Sequence, residues 1–360
     1  MLDRREMLDA LGRVAGELFL DRTGQLASVQ AAWHDLCRND QRARALAREQ
    51  QALLVPVWQE PLGSVYTLAS HTLPYHVLAT DGSQIYPDRH QGTLCSLINV
   101  GFVHLCYGGT HAGARLGSQP FVFGAIEDIH DDITAYLDCV RHEYELVIGA
   151  QHRAALADGQ ERQLFLCDGS LIFWHLQSKT EHARRPFMDR YLAVFDQFYR
   201  NNWLMAGYIS LPNSKELVHL VQLAGAQVEH LYDTHIAQLY LQPGQRTQLF
   251  ANQASITQEY PEHLRTYFTY AHFGCEIVRV ELPAWLAHDN DRVDTVLAII
   301  ADQVRKGGGY PVSLAEAHEQ AVIKAPDREF FYQMIEQIGA QRGQQIIGSR
   351  KSLRKRIIGI

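Results

Sequence analysis

His76-Val77-Leu78-Ala79-Thr80-Asp81-Gly82-Ser83 and Gln163-Leu164-Phe165-Leu166-Cys167-Asp168-Gly169-Ser170-Leu171 both set a short apolar run in front of Asp-Gly-Ser. Compact apolar runs of this kind read as strands, and the second as one buried on both faces of a parallel or mixed sheet. The acid then falls at the strand's C-terminal end, where open α/β sheets hold ligands, and the glycine is expected to turn the chain sharply away. Two such strands side by side bring two carboxylates together. Like charges at that spacing repel unless a divalent cation lies between them, which is the geometry of metal-assisted phosphodiester hydrolysis. One copy alone reads more readily as an ordinary Asp-Gly turn; the repetition is what points to a site.

Between the two strands, Ile129, Ile133, Leu137, Val140, Tyr144 and Val147 recur on one side of a helix expected near 128–157. A third acid should come from its segment Arg141-His142-Glu143-Tyr144-Glu145-Leu146. Helical projection sets Glu143 nearer the Val140/Tyr144/Val147 stripe, while Glu145 shares a face with Arg141 and with Gly149, where a missing side chain allows close backbone approach. Periodicity leaves both open. A fourth element is Gly307-Gly308-Gly309-Tyr310-Pro311-Val312-Ser313-Leu314-Ala315-Glu316-Ala317-His318. Ser313 with Glu316 fits a capping box, so a helix is expected to start there, with His318 on its apolar side beside Ala317 and Ala321. Such a histidine is either a hydrogen-bonded core residue or, next to two aspartates, a ligand or proton-transfer group. The triple glycine is no phosphate loop, because no Gly-Lys-Ser/Thr follows.

Further out, Cys95–Leu105 reads as one longer strand or a strand pair, with strands near 205–211, 236–241 and 275–282. Helices are expected near 186–200, 214–224, 292–305 and 313–323, and a loop around Gln242–Gln258. Before residue 55, Leu8/Leu11/Val14/Leu18 and Leu26/Val29/Trp33/Leu36 form amphipathic helical stripes; Pro56 and Pro61 end this arm before strand candidates at Val65–Leu68. The expected fold class is α/β, a mixed sheet flanked by helices with an N-terminal helical arm.

The 360 residues are 46% hydrophobic and 20% charged, enough to bury one large core or two ordinary ones. No apolar run reaches a membrane span, and the N-terminus lacks a signal-peptide pattern, so a cytoplasmic protein with no membrane partner is expected. The six cysteines form no Cys-x-x-Cys pair and read as free thiols. A net charge of −7 excludes coating nucleic acid by bulk charge but not a local basic channel. Arg184-Arg185 and Arg350-Lys351-Ser352-Leu353-Arg354-Lys355-Arg356 are the basic clusters.

Taken in order, Asp81-Gly82-Ser83, Arg141 with Glu145, Asp168-Gly169-Ser170-Leu171, Lys215 in Pro212-Asn213-Ser214-Lys215, and Tyr310-Pro311 with Ala317-His318 resemble the pattern of the NurA nucleases across about residues 75–325. The resemblance implies a ribonuclease-H-like core, manganese-dependent cleavage of DNA with magnesium as the alternative ion, and a homodimer. It also implies a hexameric HerA-type DNA-translocating ATPase as partner in DNA end processing and repair. The activity implied is exonucleolytic, with a single-strand endonuclease capacity. It tips the helical acid toward Glu145. Asp81, Glu145, Asp168 and His318 then become metal ligands, His318 alternatively a proton-transfer group, and Lys215 a fixed cation near the scissile phosphate. Three segments follow: a helical arm over 1–60, a nuclease domain over 61–340 and a basic, partly apolar tail over 341–360. The stretch before Asp168 is longer than the pattern, and the arm matches nothing specific. A non-catalytic DNA-guiding adaptor of a ring ATPase is the competing class; it needs the fold and the tail but not the acids. An aspartyl phosphatase would want Asp-x-Asp at the first strand end, and Asp81-Gly82-Ser83 does not supply it.

Overall fold

The computed structural model describes residues 2–16, 23–49, 52–70, 74–88, 93–108, 112–124, 133–156 and 162–343. Along them run α1 (Arg4–Arg13), α2 (Thr23–Arg38), α3 (Asp40–Glu49), β1 (Val57–Trp58), β2 (Val65–Thr67), β3 (Tyr75–Ile85), β4 (Ser96–Tyr107), β5 (Gly113–Phe123), α4 (Ile133–Ala154), β6 (Arg162–Asp168), α5 (Trp174–Gln177), α6 (Glu181–Arg200) and β7 (Leu204–Ile209). Then follow α7 (Glu216–Leu223), α8 (Asp233–Gln238), β8 (Gln245–Thr247), β9 (Phe250–Ala251), β10 (Thr266–His272), β11 (Ile277–Pro283), α9 (Ala284–Ala287), α10 (Asn290–Lys306), α11 (Val312–Ala321) and α12 (Ala325–Gln341). Leu18 and the basic cluster 350–356 lie outside the described residues.

The strands form one mixed sheet in the order β1-β9-β10-β11-β7-β6-β3-β4-β5, with β8 joining β2 to β10. At its centre β3, β6 and β7 run parallel, and antiparallel pairs extend it on both sides. Alternation along β3 sends Leu78 under α4 and α6, and Val77 and Ala79 under α10 and α11, so the sheet has a core on each face. A third core lies where β9 and β10 present Phe250, Phe268 and Tyr270 to α2, α3, α7 and α8. The stripe Val29/Trp33/Leu36 is buried there in the chain's own core, whereas Leu8, Leu11 and Val14 of α1 stay exposed.

Several expectations need correction. The strand expected near 236–241 is helix α8, because Ile236, Ala237 and Leu241 follow a helical period and pack against the N-terminal helices. Asp233 at the start of α8 accepts the Leu217 and Val218 N–H groups and the Tyr270 hydroxyl, which anchors the segment. Nor does the chain turn at Gly82. β3 continues to Ile85 and pairs with β4 throughout, from Tyr75↔Tyr107 to Ile85↔Leu97. Of the two Asp-Gly pairs, only the second turns through the left-handed region, at Gly169 with φ +112°. The Ser313 capping box is also absent: α11 starts at Val312 behind Pro311, and the Ser313 N–H is taken by the Gln303 side chain.

Deep in the sheet, Arg279 on β11 bridges Glu216 of α7 and Glu281 of β11, at 2.8 Å each, with its guanidinium over the Phe268 ring. Glu281 in turn accepts from the Ser170 hydroxyl and the Leu171 N–H, at 2.7 and 2.8 Å, so the turn after Asp168 hangs from this buried network. Removing one partner of such a network strands the others. Arg279→Met should therefore lower the unfolding free energy by about 3–5 kcal/mol, read from the urea midpoint. An unchanged midpoint would show that the network does not hold the fold.

Candidate active site

β6 pairs with β3 only as far as Thr80↔Cys167; β6 ends one residue later at Asp168 while β3 runs on. A notch opens there beside Asp81 and Gly82. By strand alternation Asp81 and Asp168 belong to the α11 side of the sheet, whereas Glu145 comes from α4 on the other side. Glycine at 82 lets Glu145 cross. A Cβ there would sit 2.5 Å from Glu145 Oε1 and 2.6 Å from Arg141 Cγ. The helix is pinned at this level by the Thr80 hydroxyl, which donates to the Glu145 carbonyl at 2.9 Å. It lies close because Gly149 faces the Phe165 ring, where a Cβ would be 2.3 Å from Cζ.

Arg141 Nη1 donates to Glu145 Oε1 at 2.8 Å and to the Gly82 carbonyl at 3.1 Å, fixing the carboxylate over the notch. His142 Nδ1 lies 3.6 Å from the other oxygen, Oε2. Burial lifts the Glu145 carboxyl to about 7, and the Asp81 and Asp168 charges add to this against the pull of Arg141. Asp168 is also raised, by burial first and then by Asp81, while the Tyr310 hydroxyl that donates to it and nearby His318 oppose the shift. The half-buried His142 imidazole is held down to about 3, by burial first and then by His175 and Arg141. A cleft of about 30 Å³ lies among these groups, room for an ion or a water.

From the other face, α11 lies directly on β4. A Cβ at Gly101 would be 2.4 Å from the Ala321 nitrogen, and Asn99 and Ser83 side chains donate to the Ala321 carbonyl. This seats His318 beside Asp81, with Nδ1 2.8 Å from Oδ2. The expected inward histidine is instead 62% exposed and reaches the site over the helix rim.

Asp81, Glu145 and Asp168 thus line one cleft, with His318 bonded to Asp81 beside it; Lys215 does not join them. Its ammonium lies 5.6 Å from the Tyr232 ring centroid just before α7, and among the described residues no ion pair joins it to the acids. Glu143 points away, paired with Arg190 of α6 at 2.8 Å. Arg184 is spent on Glu259, and Arg185 lies exposed 3.9 Å from Asp189. Sequence reasoning left Tyr310 without a role, although it lies in the Tyr-Pro pair quoted above, and it missed Glu281 altogether, which acts on the Asp168 turn from 110 residues away.

A sequence model of the NurA domain matches residues 75–323. The chain belongs to the NurA domain family. The match runs from the first residue of β3 to just past α11 and so contains all four converging side chains. A crystal structure of NurA covers 88% of this chain and 98% of its own, at 10% identity and a TM-score of 0.45. Crystal structures of NurA with manganese and of NurA bound to dAMP and manganese align at 11% and 10% identity, with TM-scores of 0.46 and 0.35; they cover 83% and 91% of this chain and 96% of each of their own. Curated protein sequences give no significant match. Among the described residues of this NurA-domain chain, no helix is long and apolar enough to cross a membrane.

Crowded acids weaken the metal-free fold. In chelator-treated protein, Asp168→Asn keeps an acceptor for Tyr310 while removing one charge, and should raise the urea midpoint. A lowered urea midpoint would mean that the carboxylates do not repel one another in this way.

Proposed function

We propose that this NurA-domain protein is a divalent-metal-dependent deoxyribonuclease. The carrying observation is the convergence of Asp81, Glu145 and Asp168, with His318 bonded to Asp81. Three carboxylates and one imidazole make an oxygen-rich donor set suited to manganese, with magnesium as the alternative. Asp81, Glu145 and Asp168 line one small cleft and His318 is bonded to Asp81, so the residues fit the ion that the family implies. Asp81, Glu145, Asp168 and His318 would hold it, and when bound it supplies an activated water and relief of charge at phosphorus.

The chain's own groups do the rest. Arg141 keeps Glu145 aimed at the notch, and Tyr310 orients Asp168. Where His318, exposed and hydrogen-bonded to Asp81, is not itself a ligand, it is the group that takes or returns a proton at the reacting water or the leaving oxygen. Lys215 follows β7, which ends beside Asp168, so its loop leaves the sheet at the same end; we assign it to a DNA backbone phosphate. The strand order β5-β4-β3-β6-β7, an antiparallel three-strand meander continued by parallel strands after a crossover helix, supports reading the core as ribonuclease-H-like.

In this reading residues 61–340 form the nuclease unit, 1–60 the arm and 341–360 the tail. The protein is a cytoplasmic exonuclease, also cutting single strands internally, that works in DNA end processing and repair as a homodimer with a HerA-type hexameric translocase. Family membership supports the partnership, and the exposed α1 stripe leaves an apolar surface for assembly. The adaptor reading has no use for three acids gathered at an energetic cost.

Linear DNA should be degraded with manganese and spared with chelator, and Asp81→Asn or Asp168→Asn should cut the rate by several orders of magnitude. Full turnover in both variants would overturn the metal site, and no cleavage by the unmodified protein with manganese would leave the adaptor reading standing. Separate glutamine substitutions divide the helical acids: Glu145→Gln should abolish cleavage, while Glu143→Gln breaks only the Arg190 pair and should cleave normally. The reverse pattern would overturn the assignment of Glu145.

A further inference from the structure

At the far end of β3 from the acids, a second group of ligand-type side chains meets. His76 faces Cys106 across the β3–β4 ladder, and His104 stands two residues back on the same face of β4. His76 Nδ1 is 2.9 Å from His104 Nε2, and Cys106 Sγ is 3.2 Å from each. All three residues are half-buried. We propose that His76, His104 and Cys106 form a metal site distinct from the carboxylate cluster, one that takes a borderline-soft divalent transition ion of the zinc class.

One thiol sulfur and two imidazole nitrogens lie within 3.2 Å of one another. Tetrahedral zinc needs about 3.3 Å between two nitrogens and about 3.6 Å between nitrogen and sulfur. The triad therefore has only to open by about 0.4 Å, a rotamer adjustment on side chains whose backbones are fixed by an uninterrupted ladder. Coordination takes the thiolate form of Cys106, and its proton leaves to solvent.

The two sites would sort ions by softness. Five residues along β3 put His76 about 17 Å from Asp81, and on the opposite face of the sheet. One thiolate with two imidazoles selects zinc-like ions, whereas three carboxylates with one imidazole select manganese or magnesium. A bound ion would tie the start of β3 to the end of β4, with its fourth position left to water on the exposed side.

Cobalt alone is the probe, added to the reduced, metal-stripped full chain. A thiolate-to-cobalt charge-transfer band should grow in the near ultraviolet, saturate at one ion per chain, and vanish when zinc but not manganese is added. Cys106→Ser should lose the band. Cys167→Ser, which removes the thiol beside the acids, and Asp81→Asn should both keep it. If Cys106→Ser does not fold by circular dichroism, His104→Gln replaces it, and loss of the band there supports the site equally. Absence of the band in the unmodified protein, its persistence in Cys106→Ser or His104→Gln, or its loss in Cys167→Ser would overturn the proposal.

Discussion

Electrostatic repulsion among Asp81, Asp168 and Glu145 is the constraint around which the rest of the molecule is arranged. Two of these carboxylates come from neighbouring parallel strands and the third, the most covered, from a helix on the opposite face of the sheet, where solvent screening is weakened. The meeting depends on one absent side chain. Gly82 leaves the gap that Glu145 and Arg141 fill, at a level where β6 has ended and β3 has not. A sheet with a methyl group at that position would separate its two faces.

Repelling groups stay together only if other interactions over-determine their positions. Each acid has its own support. Glu145 is held by Arg141 and by the helix anchor at Thr80; Asp81 by the Gly82 N–H and His318; Asp168 by Tyr310 and by a turn fastened to Glu281. The Glu281 support leads through Arg279 to Glu216, a buried ion network that ties the third core to the strand end carrying Asp168. Burial of that network at the sheet's centre is costly, and its use is to fix the geometry of the turn.

Much of this was legible in residues 76–83 and 163–171, because an apolar run before Asp-Gly-Ser is a local signature, although only Asp168 ends its strand. The reading failed where the cause was not local. Gly82 looks like a turn residue in sequence and is a close-approach residue in space, which only the position of α4 reveals. β5 escaped notice because an edge strand with Pro120 and two glycines, mostly exposed, carries no hydrophobic alternation. Residues 236–241 were misread because a short apolar run suits either period, and the helices it packs on come from nearly 200 residues earlier. Glu143 and Glu145 could not be separated by periodicity, since both face protein: one meets α6, the other the notch. His318 was sought in the core because its helix neighbours are alanines, yet those alanines serve the close approach to Gly101 and leave the histidine at the rim.

The central claim is that the Gly82 notch is a metal site built from both faces of the sheet. Anomalous diffraction from crystals of the full chain grown with manganese tests it most directly. The account predicts a manganese peak within coordination distance of carboxylate oxygens from Asp81, Asp168 and Glu145. Ordered carboxylates with no peak between them, or a peak that Glu145 does not reach, would contradict it.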